Sequence, residues 1–89
     1  MKINIFGKNI EVTEGIKSAV EEKLSKLDKF FNEEIRADVT LSVKRNEHKV
    51  EVTIPVKGNI IRAEEISEDM YASIDMVEET IAVSYTHLR

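Results

Sequence analysis

The chain has 89 residues, of which 42% are hydrophobic and 34% are charged, and its formal net charge is −4. This length and composition predict one folded domain with a modest core and exclude a disordered tail. The absence of cysteine excludes disulfides and thiolate metal sites, and no run resembles a signal peptide or membrane span, so we expect a soluble cytoplasmic protein.

The negative charge is concentrated in the last third of the chain. Residues 63–89 carry seven acids and one base, whereas residues 1–62 carry ten acids and twelve bases. A basic surface is therefore compatible with the first two thirds of the sequence despite the overall acidity.

The first part of the sequence predicts a strand followed by an amphipathic helix. Residues 2–7 predict a half-buried strand, because Ile3 and Ile5 would lie on one face. Thr13 is a suitable N-cap for a helix that begins at Glu14 and runs to about Phe31. The apolar face of this helix comprises Ile16, Val20, Leu24, Leu27 and Phe31.

Two alternating strands are predicted in the middle of the sequence, after a loop at residues 32–34. From residue 35 to 44 every second side chain is apolar, which predicts one dry face and one wet face. Residues 45–47 are expected to turn the chain into a second strand that ends at Val56. Pro55 should lie near the end of this strand, because proline cannot donate a hydrogen bond to the ladder.

The last part predicts a third strand of the meander and a second helix. Gly58 and Asn59 mark a tight hairpin into a short strand at residues 60–63. Ser67 is the predicted helix N-cap, with two acids in the first turn. The apolar stripe of this helix comprises Met70, Ile74, Val77 and Ile81.

The predicted element order is therefore β-α-β-β-β-α. A right-handed crossover through the first helix would make the first two strands parallel, and the later strands would form an antiparallel meander. Because the sheet has one apolar face, both helices must cover that face. We expect an α+β two-layer sandwich, in which two helices lie on one face of a four-stranded mixed sheet.

The sequence shows no pattern typical of an enzyme or of a cofactor site. His48 and His87 lack metal-ligand spacing, and no Ser/His/Asp order suggests a nucleophile. The three glycines are too scattered for a phosphate loop. We therefore expect neither catalysis nor a cofactor or metal.

Lys23, Lys26 and Lys29 recur at every third residue and follow one flank of the first helix. One interpretation is a solvated amphipathic helix whose lysine stems cover the edge of the core. The other is a row of ammonium groups that contacts a phosphate backbone. The spacing alone favours the first interpretation.

The polar face of the sheet also carries mixed charges and an aromatic residue. Its basic and acidic residues favour opposite-charge pairing between strands over a basic surface. Phe6 should face outward, either as a base-stacking platform or as a cover for the sheet edge. These charged residues are Arg36, Asp38, Lys44, Lys49, Glu51, Arg62 and Glu64.

Three strings in the sequence carry a family resemblance, together with the element order. They read V-E-E-K-L-S-K-L-D-K-F-F, K-V-E-V-T-I-P-V-K-G and R-A-E-E…E-D-M-Y-A-S-I-D. They resemble the ribosome hibernation-promoting factor family, whose members are also called ribosome-associated inhibitors or sigma-54 modulation proteins. The resemblance covers about residues 1–80. It is closest to the N-terminal domain of the long form, which has an additional C-terminal dimerisation domain.

The resemblance implies a non-enzymatic protein that binds ribosomal RNA of the small ribosomal subunit. Members block the channel used by messenger RNA and transfer RNA, and they promote hibernation under stress or in stationary phase. The fold resembles double-stranded RNA-binding domains, which read RNA by shape and phosphate. The family's first-helix RNA contacts correspond to Lys23, Lys26, Lys29 and Lys17. A homodimer is expected if the full-length protein carries the C-terminal domain.

The second helix departs from the family pattern. Members usually continue with a basic segment resembling D-K-L-E-R-Q-I-R-K, whereas Thr80 and Val83 stand where bases are expected. No second-helix contact can therefore be transferred, and we expect reduced affinity for RNA. An alternative function is a protein–protein regulatory module that has lost ribosome binding.

The end of the chain resembles nothing in the family. We expect residues 1–84 to form the ribosome-binding domain and residues 85–89 to form an atypical tail. The tail is compatible with natural divergence, a truncation or a sequence artefact.

Overall fold

A computed structural model describes residues 1–31, 34–56 and 58–88. The elements are β1 (Lys2–Gly7), α1 (Glu14–Ser25), a 3₁₀ helix (Lys26–Phe30), β2 (Arg36–Lys44), β3 (Glu47–Val56), β4 (Asn59–Ser67) and α2 (Met70–Leu88). Asn32, Glu33 and Arg89, which belong to the predicted loop and tail, lie outside the described residues. Neither described helix has the length and apolar content needed to cross a membrane.

The strands form one mixed sheet in the order β1-β2-β3-β4. β1 pairs with β2 in parallel, whereas the β2–β3 and β3–β4 pairs are antiparallel. This arrangement confirms the predicted α+β fold. It also leaves β1 and β4 as the two edges of the sheet.

The core lies between the inner face of the sheet and the helices. Leu24 of α1 and Leu27 of the 3₁₀ helix are each 1% exposed, and the predicted apolar stripe of α2 is buried. Complete burial of such a side chain contributes about 1.5–3 kcal/mol to folding. The sheet contributes Ile35, Ala37, Val39, Leu41, Val50, Val52, Ile54, Ile61 and Ala63.

The first helix ends earlier than predicted. α1 stops at Ser25, and the backbone N–H of Lys26 donates to the carbonyl of Lys23, three residues back. The Ser25 hydroxyl also donates to the carbonyl of Glu21. This local bonding competes with regular α-helical winding, and the chain continues as a tighter 3₁₀ helix to Phe30.

The boundary between β4 and α2 was also predicted wrongly. β4 extends to Ser67, which pairs with His48 of the long strand β3. α2 therefore begins at Met70, and the carbonyl of Asp69 accepts the first helical hydrogen bond from the N–H of Ser73. Ser67 is a strand residue rather than the N-cap, because ladder pairing with β3 extends the strand.

Both hairpins of the meander are tight. Glu47 belongs to β3 and pairs with Lys44, so the first turn is one residue shorter than predicted. Arg45 in this turn has φ 58°, a conformation that is unfavourable for most residues with a β-carbon. Gly58 in the second hairpin has φ 75°, which glycine adopts without steric cost. Pro55 is the penultimate residue of β3, as predicted.

Candidate nucleic-acid interface

Lys23, Lys26 and Lys29, here called the lysine ridge, run from the last turn of α1 into the 3₁₀ helix. Lys26 and Lys29 are both exposed, while Leu27 between them is buried. Residues three apart eclipse each other in a 3₁₀ helix, so these two lysines share one side. The end of the helix is also favourable for cations, because the backbone dipole is negative there.

Lys23 lies at the seam between the two helices. Its Nζ is 2.9 Å from Oδ1 of Asp75 on α2. The hydrogen bond that Lys23 donates to Asp75 raises the pKa of Lys23, and the charge of Glu78 raises it further. The same bond lowers the pKa of Asp75, as does the charge of Lys26. One of the three ammonium groups of the ridge is therefore compensated within the domain.

Lys26 and Lys29 form no ion pair within the described part of the chain. Nζ of Lys29 lies 5.4 Å from the centroid of the Phe30 ring, which is within cation–π distance. Asp28 is the acid nearest to them in sequence, and its Oδ1 lies 3.1 Å from the amino group of Met1. That bond raises the pKa of the Met1 amino group. The ridge thus presents two exposed cations that are not compensated by Asp28.

Lys17 is exposed but does not belong to the ridge. It precedes Lys23 by six residues, which corresponds to a rotation of about 240° around an α-helix. Lys17 therefore lies on the other flank of the buried stripe, beyond Val20 and Leu24. The structure brings three of the four predicted lysines together and separates the fourth.

The outer face of the sheet carries mixed charges, as predicted. Nζ of Lys49 lies 3.0 Å from Oε1 of Glu64 on β4 and 3.2 Å from Oε1 of Glu51. The hydrogen bond to Glu64 is the largest cause of a raised pKa at Lys49, followed by the bond to Glu51. Phe6 on this face is 63% exposed, next to Thr40 in the register. The Phe6 ring therefore remains accessible, and a stacking role for it is a hypothesis.

A second basic cluster was not found by sequence analysis. Lys8 and Lys44 line a depression beside the β2–β3 hairpin, together with Lys49 and Glu47. The Asn9 side chain fixes this region: its Nδ2 donates to the carbonyl of Val43 at 2.8 Å, and its Oδ1 accepts from the Val43 N–H at 3.0 Å. Lys8 and Lys44 are distant in sequence, and the parallel pairing of β1 with β2 brings them close together.

The polar cluster around His48 has a structural role. Ser73 is fully buried, and its hydroxyl donates to the His48 carbonyl at 2.6 Å and bonds the Ser67 hydroxyl at 2.7 Å. These bonds fix the start of α2 against the β3–β4 pair. Within the described residues, no three His, Asp or Glu side chains are grouped to hold a metal ion.

Comparison with known proteins identifies the family. The family model described as "Sigma 54 modulation protein / S30EA ribosomal protein" matches residues 3–83. The chain belongs to this family. The predicted resemblance is thereby confirmed.

Two curated relatives of this chain are named ribosome hibernation promotion factor. The Lactococcus lactis protein is 51% identical over 84 residues, which is 91% of this chain and 45% of the relative. The Bacillus subtilis protein is 46% identical over 79 residues, covering 85% of this chain and 42% of the relative. This chain therefore spans less than half the length of the curated relatives it matches.

Two solved structures resemble this chain. The crystal structure of the Thermus thermophilus Protein Y N-terminal domain matches with a TM-score of 0.92 and 32% identity, covering 100% of both chains. A ribosomal subunit interface protein from Coxiella burnetii matches with a TM-score of 0.88 over 99% of this chain and 97% of its own. At 18% identity, this second match shows a likeness of fold alone.

Within the S30EA fold, acidic side chains of α2 lie next to the lysine ridge. Asp75 and Glu78 act on Lys23, as described above. Thr80 lies on the β4 side of the helix, where its hydroxyl donates to Oε2 of Glu65 at 2.6 Å. Val83 lines the same groove as Glu65 and is 53% exposed. The two positions at which the resemblance led us to expect bases therefore point away from the α1 seam.

Proposed function

We propose that this chain is the ribosome-binding domain of a cytoplasmic hibernation factor. In this proposal it binds small-subunit ribosomal RNA in the channel used by messenger RNA and transfer RNA. Membership of the S30EA family and the name of the curated relatives support the proposal. The observation that carries the RNA contact is the pair of exposed lysines, Lys26 and Lys29, on one side of the 3₁₀ helix.

The proposed mechanism is steric occlusion of the channel and involves no covalent chemistry. Each lysine that neutralises an RNA phosphate releases counterions, so binding should weaken steeply as salt increases. Lys26 and Lys29 would contact phosphate directly. Lys17 would contribute from the other flank of α1, at the margin of the surface.

Lys23 would have to exchange its partner on binding. Its ion pair with Asp75 is accessible to solvent, because the Lys23 side chain is 32% exposed and the Asp75 side chain is 62% exposed. Such surface pairs contribute little to stability, so a phosphate can replace the carboxylate at small cost. The displaced Asp75 would nevertheless remain near the RNA and oppose binding by repulsion. We therefore expect weaker binding than in a relative with a basic second helix.

Co-sedimentation with purified small subunits at low ionic strength tests the contact surface. We expect the wild type to sediment with the subunits and the variant K23E/K26E/K29E to remain in the supernatant. The matched control is K2E/K8E/K44E, which changes the net charge equally at exposed lysines near or on the sheet. Equal loss of binding in both variants would show that the ridge is not the determining contact, and that overall charge or the cluster of Lys8 and Lys44 governs the interaction.

Competition tests the proposed position in the channel. Prior loading of small subunits with messenger RNA and a P-site transfer RNA should block binding of the wild type. Chemical footprinting should show protection of ribosomal RNA in the channel only without these ligands. Undiminished binding to loaded subunits would contradict occlusion of the channel.

The compensation of the Lys23 charge by Asp75 favours a second candidate function, a protein–protein regulatory module without ribosome binding. In that case the acidic α2, rather than the ridge, would contact the partner. This module would be favoured if the wild type failed to co-sediment with small subunits at low salt but recovered one specific protein. Reversing the charges of α2 should then abolish that recovery.

A homodimer formed through a C-terminal domain is a separate proposal for a longer protein. It follows from the resemblance to the long form rather than from contacts of the residues described above. The light-scattering mass of a full-length protein, with and without that domain, would test it.

A further inference from the structure

β4 is an edge strand that no other described strand covers. It is nine residues long and pairs only with β3 in the described sheet. Long unprotected edges offer unpaired N–H and C=O groups to another strand, and proteins commonly blunt them with proline, bulges or inward-pointing charges. β4 contains no proline and has a regular register with β3 throughout its length. Its one inward-pointing charge, Glu65, accepts a hydrogen bond from the Thr80 hydroxyl of α2.

The outward side chains of β4 have a symmetric arrangement. They are Ile60, Arg62, Glu64 and Ile66, with Ala63 at the midpoint of the strand. Ile60 is 50% exposed and Ile66 is 45% exposed, so two large apolar side chains flank a cation and an anion. Arg62 forms no salt bridge within the residues that the structure describes, whereas Glu64 contacts Lys49.

We propose that β4 pairs antiparallel with β4 of a second copy of this chain, with the two-fold axis at Ala63. In this register Ile60 faces the second copy's Ile66, and Arg62 faces its Glu64. The symmetry repeats both pairs, which gives two apolar contacts and two ion pairs on the outer face. The two sheets would join into one continuous eight-stranded sheet.

Neighbouring registers are electrostatically unfavourable. Side chains that lie directly opposite each other on two paired strands point to the same face of the sheet. The two-fold axis can therefore move along β4 only by whole residues. A centre at Arg62 places two guanidinium groups opposite each other, and a centre at Glu64 places two carboxylates opposite each other. Like charges directly across a sheet are destabilising. The centre at Ala63 also uses all nine residues of β4.

The helical side of the same edge provides additional apolar surface. Met76 and Val83 of α2 are 39% and 53% exposed, and they line an open groove above Glu65 of β4. A second copy joined at β4 would bring its own α2 alongside this groove. The other sheet edge lacks such complementarity, because the outward residues of β1 are Lys2, Asn4 and Phe6, with no acid to oppose Lys2.

Sedimentation of the 89-residue chain in the absence of ribosomes tests this proposal independently of RNA binding. We expect a monomer–dimer equilibrium that shifts to dimer at high protein concentration. R62E and E64R should each weaken dimerisation by roughly tenfold or more, because each turns two attractive pairs into repulsive ones. Circular dichroism and thermal unfolding would verify that both variants remain folded.

Mixing the two variants provides the decisive control. In a heterodimer of R62E with E64R, two glutamates of one copy face two arginines of the other, so association should return in the mixture. A wild-type chain that stays monomeric at millimolar concentration would overturn the proposal. Dimers that persist unchanged in R62E, or a mixture that fails to associate, would also overturn it.

Discussion

The Lys23 ammonium and the Asp75 carboxylate lie 2.9 Å apart and link α1 to α2 beside the lysine ridge. Each group shifts the pKa of the other so that both charges are favoured. This ion pair has opposite effects on the stability of the domain and on its proposed binding to RNA. It stabilises the contact between the helices, and it reduces the positive charge that the ridge can present to RNA.

Asp75→Asn is expected to strengthen binding to small subunits. The substitution frees the Lys23 ammonium for an RNA phosphate and removes a repulsive carboxylate. If one further phosphate contact forms, the slope of log affinity against log salt should become steeper by up to about 0.9. Co-sedimentation or fluorescence titration at several salt concentrations would measure this slope.

Glu79→Gln is the matched control for that substitution. It removes the same charge from the same helix, but Glu79 lines the groove beside Glu65 rather than the ridge. We expect a smaller rise in affinity for Glu79→Gln than for Asp75→Asn. Equal effects would mean that the net charge of the domain, and not release of Lys23, governs affinity.

The same ion pair predicts a pH dependence of stability with a defined sign. Lys23 lowers the folded-state pKa of Asp75 below its ordinary value of 3.8. The contribution of the pair is therefore present above pH 3.8 and is lost as the pH falls through the lowered pKa. Asp75 raises the pKa of Lys23 above 10.5, so the contribution is complete below pH 10.5 and is lost as the pH rises through the raised pKa.

Urea unfolding of the wild type and Asp75→Asn across pH would test this dependence. The difference in free energy of unfolding should be largest near neutral pH and should disappear at both extremes. We expect a small difference, because Lys23 is partly exposed to solvent and Asp75 is exposed. A difference that persists unchanged in strong acid would contradict an electrostatic origin.

Leu24→Ala should destabilise the domain by about 2–5 kcal/mol, because it leaves a cavity in the core between the helices and the sheet. Leu24 is 1% exposed, so little of the lost contact can be replaced by water. Denaturant unfolding would measure the loss. Val83→Ala provides the comparison: Val83 is 53% exposed, and its truncation should change stability by about 0.5 kcal/mol or less.

Ser73→Ala should cost about 1–3 kcal/mol, since it removes a buried hydroxyl and leaves the His48 carbonyl without that donor. The Ser67 hydroxyl would lose a partner as well. Thermal and urea unfolding would report the change. Ser18→Ala on the exposed side of α1 should be nearly neutral, and similar losses for both variants would argue against the buried bonds as the cause.

The sheet and the core were predictable because alternation decides which face of a strand is buried. Val50, Val52 and Ile54 are each at most 1% exposed, as their spacing in β3 indicates. Likewise, the three- and four-residue spacings in α2 indicate the buried stripe from Met70 to Ile81. These patterns are local, and the tertiary structure follows them.

Element boundaries were less predictable because they depend on distant partners. Ser67 has the side chain of an N-cap, but pairing with His48 extends β4 through it. The ion pair between Lys23 and Asp75 joins two helices, and no local pattern in either helix indicates it. Sequence spacing therefore located the lysine ridge but did not predict that an acid of α2 compensates part of it.

The change of winding at Ser25 also affects the axial spacing of charge on the ridge. A 3₁₀ helix rises about 2.0 Å per residue, so Lys26 and Lys29 emerge about 6 Å apart along the axis and in one direction. An α-helix would place them about 4.5 Å apart and turn them about 60° from each other. In the proposed complex, the pitch of this short segment therefore sets which phosphates the two side chains can reach together. Affinity could then change through backbone geometry while every charge stays the same.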